Sequence, residues 1–116
     1  MTAGLPLRRL TKRAQFLSAA KGRRAGRTAF SVQAAPVEEM SAGIGLTVTK
    51  KVGNAPQRNR IKRRLRAAVR ACSDAFRAQH DYVLVGRREA LTVPFDRLVA
   101  DLGSALGKLH DGRQAL

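Results

Sequence analysis

The stretch KKVGNAPQRNRIKRRLRAAVR, residues 50–70, carries nine Lys or Arg and not one Asp or Glu. Like charges repel, so the fold gains nothing by gathering them, and the counter-charge must come from outside the chain. The same stretch reads as a helix. Asn54 can cap its start, Gln57 follows three residues later as in a capping box, and Pro56 falls in the first turn, where a missing N–H costs nothing. The apolar spacing carries the helix to about Ala78. At 100° per residue from Ile61, the side chains of Leu65, Ala68, Val69, Cys72 and Phe76 fall within about 80° on one side. That stripe packs, which makes Cys72 a core thiol. Asn59, Lys62, Arg66 and Arg70 form a second row, and Arg60, Arg63 and Arg64 lie further round. The helix therefore has one anchoring face and two basic faces.

Strands flank it. IGLTVTKKV, residues 44–52, alternates Ile44, Leu46 and Val48 with Thr47, Thr49 and Lys51, so one face packs and the other is polar and open. YVLV, residues 82–85, is a continuous apolar run, as in a central strand covered on both faces. Further out, FSVQAAP at 30–36 alternates as a half-buried strand ending at Pro36. RRAGRTA before it is a turn or short strand. LTKRAQFLSAAKG, residues 10–22, reads as a short helix with Thr11 as its cap and Gly22 as a left-handed stop. Pro94 to His110 forms the last helix, with Phe95, Leu98, Val99, Leu102, Leu106 and Leu109 as its stripe. The order αβββαβα predicts an α+β fold: a two-layer α–β sandwich with about four strands in a mixed sheet and three helices. The predicted boundaries are a flexible basic lead over 1–9, one domain over 10–110, and a tail over 111–116.

Composition narrows the function. The chain has 116 residues and a net charge of +15. Residues 1–70 hold 17 basic groups against Glu38 and Glu39, whereas residues 71–116 hold six of each sign, so the surplus lies in the first 70. That asymmetry suits a polyanion, nucleic acid before an anionic membrane. The one cysteine, Cys72, allows no internal disulfide. No apolar run approaches the roughly 18 residues of a membrane span, and MTAGLPLRRL lacks the apolar region of a signal peptide. The expectation is a cytoplasmic protein. His80 and His110 read as surface residues, and no carboxylates pair on one element for acid–base work. Arginine outnumbers lysine in the basic helix; its planar fork grips phosphate through two parallel hydrogen bonds.

With these residues in view, a family resemblance follows. Lys51, Gly53-Asn54-Ala55, Arg58-Asn59-Arg60, Lys62-Arg63 and Leu65-Arg66 resemble the signature of the bacterial ribonuclease P protein subunit. LTKRAQF before the strands, IGLTVTKK leading into the motif and DYVLVGR after it agree. The resemblance implies the small subunit of a ribonucleoprotein that removes the 5′ leader from precursor tRNA. Its partners would be ribonuclease P RNA and precursor tRNA. Catalysis and its Mg²⁺ ions would belong mainly to the RNA, so the protein contributes no catalytic residue. It also implies a left-handed βαβ crossover, against the usual hand.

Carried onto this chain, the resemblance assigns Lys51, Asn54, Arg58, Asn59, Arg60, Arg63 and Arg64 to the catalytic RNA. A cleft for the leader would be formed by Phe16, Gln33, Thr47, Thr49, Lys62, Arg66 and Arg70. Family members often place aromatics where this chain has Ala20 and Gln33, which shifts the grip on the leader from stacking toward charge. The rival classes are a ribosomal protein or general RNA chaperone, and a metal-dependent nuclease.

Overall fold

A computed structural model of the chain describes residues 7–110. The expected tail at 111–116, and residues 1–6 of the expected flexible lead, lie outside the described residues. The elements in chain order are β1 (Arg8–Arg9), α1 (Arg13–Ala20), β2 (Arg23–Gly26), β3 (Phe30–Pro36), β4 (Gly43–Thr47), α2 (Ala55–Ala71), β5 (His80–Gly86) and α3 (Phe95–Leu109). The strands form one sheet in the order β1-β4-β5-β3-β2. The apolar run at Tyr82–Val85 lies at its centre: β5 pairs parallel with β4 and antiparallel with β3. Because β4 and β5 are parallel neighbours, α2 between them is the crossover of a βαβ unit.

Alternation along the strands divides the core. Phe30, Val32, Tyr82 and Leu84 face α2 and α3 and pack with Ile61, Leu65, Leu98 and Leu102. The intervening residues face the other way, where Val83 packs with Leu10 and Ala19 beneath α1. Helix α1 thus covers part of the second sheet face, and β3 is buried on both sides from Phe30 to Ala35, not half-buried.

Other boundaries also differ from expectation. The sheet has five strands, the added one being β1, so Arg8 and Arg9 are paired chain and not a free lead. Helix α1 is shorter than 10–22, and Thr11 does not cap it. The Gln15 side chain reaches back instead, accepting the N–H groups of Thr11 and Lys12 at 3.0 and 2.9 Å. Gly22 does not take a left-handed φ; a Cβ there would overlap the Ala34 carbonyl oxygen, so glycine is required by close approach of two backbones. Strand β4 ends at Thr47, and Lys50–Val52 form a 3₁₀ turn. Phe95, expected in the stripe of α3, is 42% exposed.

Helix α2 stops at Ala71, seven residues before Ala78. Phe76 is buried, edge-on to Tyr82 with ring centroids 4.9 Å apart. The Arg77 N–H donates to the Tyr82 hydroxyl at 2.9 Å, and Gln79 turns the chain with a φ of 62°. A helix running to Ala78 would leave a single residue to reverse direction into β5. Tertiary packing of one phenylalanine overrides the local helical pattern.

His110, at the end of α3, is drawn into the same corner. Its Nε2 lies 2.6 Å from the Tyr82 hydroxyl, and its ring meets that of His80 edge-on at 4.9 Å. Burial first, then the nearby cations of Arg77, His80 and Arg23, lower its pKa to about 4. An unfolded histidine binds its proton near pH 6.5. Between these values the unfolded chain holds more protons than the folded one, so this group makes stability rise with pH from about 4 to about 6.5. Urea midpoints should fall from pH 7 to pH 4.5 by more in the native chain than in His110→Gln. Identical falls in both proteins would refute the assignment.

Candidate nucleic-acid interface

The basic helix starts where the sequence placed it. The Asn54 side-chain oxygen accepts the Gln57 N–H at 2.9 Å, and the Gln57 side chain accepts the Asn54 N–H at 2.9 Å. Such a cap is worth about 1 kcal/mol. Just upstream, Arg58 donates to the Gly53 carbonyl at 2.6 Å and Arg88 to the Val52 carbonyl at 2.8 Å. Arg64 donates to the Val93 carbonyl. Asn54, Arg58 and Arg64 therefore hold the helix start and the loop before α3 in place. The side chains of Lys51, Asn59, Arg60 and Arg63 are exposed and make no hydrogen bond or ion pair with described residues.

This division explains the geometry of the charge. Arg8 pairs with Asp81 and Arg97 with Asp101, and neither pair involves α2. Helix α2 buries Ile61, Leu65, Ala68 and Val69 and projects its cations on two sides. On one side Arg60 and Arg63 face solvent. On the other, Lys62, Arg66 and Arg70 line a cleft of about 440 Å³.

Phe16 of α1 and Gly45 of β4 line this cleft, as do Arg8 and Arg9 of β1. No carboxylate among the described residues lines it. Of the residues expected to form the leader groove, the structure brings together Phe16, Lys62, Arg66 and Arg70. It leaves Gln33, Thr47 and Thr49 outside the lining. Gln33 is buried on β3 opposite Val83, under α1. Thr47 ends β4 beside Val85 and Thr49 precedes the 3₁₀ turn. The open polar sheet face that would have joined them is partly roofed by α1, whose small Ala19 seats the helix against the sheet.

Arg8, Arg9 and Gly45 are cleft-lining positions that the sequence pattern did not expose. Gly45 had a signal: a lone glycine in an alternating strand marks a place where another group comes close. A Cβ at Gly45 would sit 2.6 and 2.8 Å from Cε2 and Cζ of Phe16. Gly45→Ala should therefore destabilise the fold by about 1–3 kcal/mol through overpacking. In a Phe16→Ala background the cost should largely vanish, as read by urea denaturation in a double-mutant cycle. Full additivity would show that the ring does not rest on Gly45.

Burial pushes the Cys72 thiol up, against a smaller opposing effect of a backbone hydrogen bond at Gly103. Its Sγ lies 3.5 Å from the Val99 carbonyl. It is half-buried and packs against the edge of the core, not inside it as its place on the apolar stripe suggests. Among the described residues no three His, Cys, Asp or Glu side chains gather where they could hold a metal ion. No helix among them is long and apolar enough to cross a membrane.

A cleft lined by Phe16 and by the cations Arg8, Arg9, Lys62, Arg66 and Arg70, on an α–β domain with further exposed cations on α2, has the character of a site for extended polyanions. Residues 6–110 match the family model Ribonuclease P. The chain belongs to the ribonuclease P protein family. It is 48% identical over 106 residues to the ribonuclease P protein component of Ruegeria pomeroyi, spanning 87% of this chain and 85% of that one. It is 44% identical over 110 residues to the component of Paramagnetospirillum magneticum, spanning 89% and 83%. The solved RNase P protein of Staphylococcus aureus superposes with a TM-score of 0.74 at 26% identity, covering 88% of this chain and 94% of that one. The protein from Thermotoga maritima shares the fold, with a TM-score of 0.73 at 24% identity over 84% and 93%. Membership places the chain among RNA-binding components of a tRNA-processing ribonucleoprotein.

Proposed function

We propose that this protein binds ribonuclease P RNA and the 5′ leader of precursor tRNA in the cytoplasm, and so assists endonucleolytic removal of the leader. One observation carries the reading: the cations of a single helix divide between a solvent-facing side, Arg60 and Arg63, and a cleft wall, Lys62, Arg66 and Arg70. Two faces suit two RNA ligands. Lys51, Asn59, Arg60 and Arg63 meet the catalytic RNA, around a helix start stiffened by Asn54, Arg58 and Arg64. The cleft takes the leader as an extended single strand, with phosphates on the α2 wall and a base against Phe16.

The mechanism is positional and electrostatic. Two RNAs repel through their phosphates, and the protein offsets that repulsion while fixing the leader on one side of the scissile bond. Mg²⁺ supplies the charge stabilisation that phosphodiester hydrolysis needs. In this reading the RNA partner holds these ions.

The test is reconstitution. Precursor tRNA with Mg²⁺ should be cut at the mature 5′ end at low salt only when protein and cognate RNA are both present. Cleavage by protein alone would make it a nuclease in its own right. Binding to many RNAs with no effect on cleavage would make it a chaperone or ribosomal protein.

A further inference from the structure

One carboxylate is buried in the described chain, that of Asp81 at the start of β5, at 4% exposure. A buried charge is costly unless it is paired. Its partner comes from 73 residues upstream: Nη2 of Arg8 lies 2.7 Å from Oδ1 of Asp81. The same guanidinium donates to the Ser41 carbonyl at 2.8 Å and, through Nε, to the Ser41 hydroxyl at 3.0 Å. Gly43 makes room, since a Cβ there would overlap Asp81 Oδ1.

These bonds fasten a short strand that is otherwise held by its pairing with β4 and by the packing of Leu7 and Leu10. Strand β1 is two residues long. It pairs with β4 at Arg8 with Gly43 and Arg9 with Ile44, and the Arg8 N–H to Ala42 oxygen at 2.7 Å and the Leu10 N–H to Ile44 oxygen at 2.9 Å flank that pairing. A pairing that short is marginal without side-chain support. Yet residues 7–10 line the same cleft as Lys62, Arg66 and Arg70.

We propose that the Arg8–Asp81 pair is a latch that holds residues 7–10 in the lining of the cleft, and that Asp81 is a positioning residue for the single-stranded leader. The inference rests on the cleft being the leader groove. Asp81 does not touch RNA in this scheme. It neutralises Arg8, anchors β1, and so presents Arg9 to the cleft that the α2 cations line. The sign of the expected effect is diagnostic. Asp81→Asn raises net charge by one, and charge alone would tighten RNA binding. The latch predicts weaker selectivity for the leader instead.

The experiment uses holoenzyme reconstituted with catalytic RNA and compares the native protein, Asp81→Asn, Arg8→Gln and Arg8→Lys. Losing a charge-assisted hydrogen bond should speed amide exchange at Arg8 and Leu10 by about tenfold or more in Asp81→Asn and Arg8→Gln, with the β5 amides unchanged. The preference for precursor over mature tRNA should fall about fivefold to tenfold, with affinity for the catalytic RNA retained. Arg8→Lys should recover part of it. Arg8→Gln removes the latch from its exposed side and carries the test should Asp81→Asn not fold. Unchanged exchange, or faster exchange with undiminished preference, overturns the latch. Lys62→Ala with Arg66→Ala is the control. If that variant loses the preference while Asp81→Asn keeps it, the latch fails and the leader groove stands. If the control also keeps it, the groove assignment itself has failed and the latch falls with it.

Discussion

Lys62→Ala combined with Arg66→Ala is expected to weaken binding of precursor tRNA to the holoenzyme by about tenfold to hundredfold and to leave mature tRNA unaffected. The size follows from removing two charge-assisted hydrogen bonds to phosphate in a solvent-open groove, each worth on the order of 0.7–1.4 kcal/mol. The selectivity follows from geometry. Both side chains line the cleft, and neither has a partner among the described residues whose absence would disturb the fold. Mature tRNA has no leader and so places nothing against them. Competition binding with the two RNAs, in holoenzyme assembled from the variant, measures the ratio directly. Equal weakening for both would mean that Lys62 and Arg66 serve general RNA attraction and that the cleft is not a leader groove.

How far such a site can be foreseen depends on how local its causes are. The α2 wall was legible because helical periodicity is local. Ile61, Leu65 and Val69 set the buried stripe, and the stripe alone puts Lys62, Arg66 and Arg70 in one row. The N-terminal cap was legible for the same reason, since Asn54, Pro56 and Gln57 act within four residues. The β1 wall was not. Two arginines carry no periodicity, and what makes them a strand is pairing with β4 and a salt link to Asp81, partners 33 to 73 residues away. Gln33 failed in the opposite direction. Alternation assigned it correctly to the second face of β3, but whether that face is open depends on where α1 lies, and short amphipathic segments do not announce their docking site. The end of α2 was likewise decided at a distance, by the packing of Phe76 on Tyr82.

The second large effect should appear on the other face. Arg60→Ala with Arg63→Ala is expected to reduce affinity for the catalytic RNA while leaving the preference for precursor over mature tRNA intact once the complex is assembled. Both side chains are exposed and make no hydrogen bond within the described residues, so their removal should leave the melting temperature unchanged. Each phosphate neutralised contributes about −0.7 to −0.9 to the slope of log affinity against log salt. Removing two such cations should therefore make the slope shallower by about 1.4 to 1.8. That difference is a stronger criterion than a single dissociation constant. Misfolding would lower affinity at every salt concentration, whereas a deficit in phosphate neutralisation shrinks as salt rises and the curves converge. Titrations of the catalytic RNA across a salt series, with native protein and variant in parallel, separate the two. Parallel lines would remove Arg60 and Arg63 from the RNA interface, and with them the premise that the two cationic sides of α2 serve different RNAs.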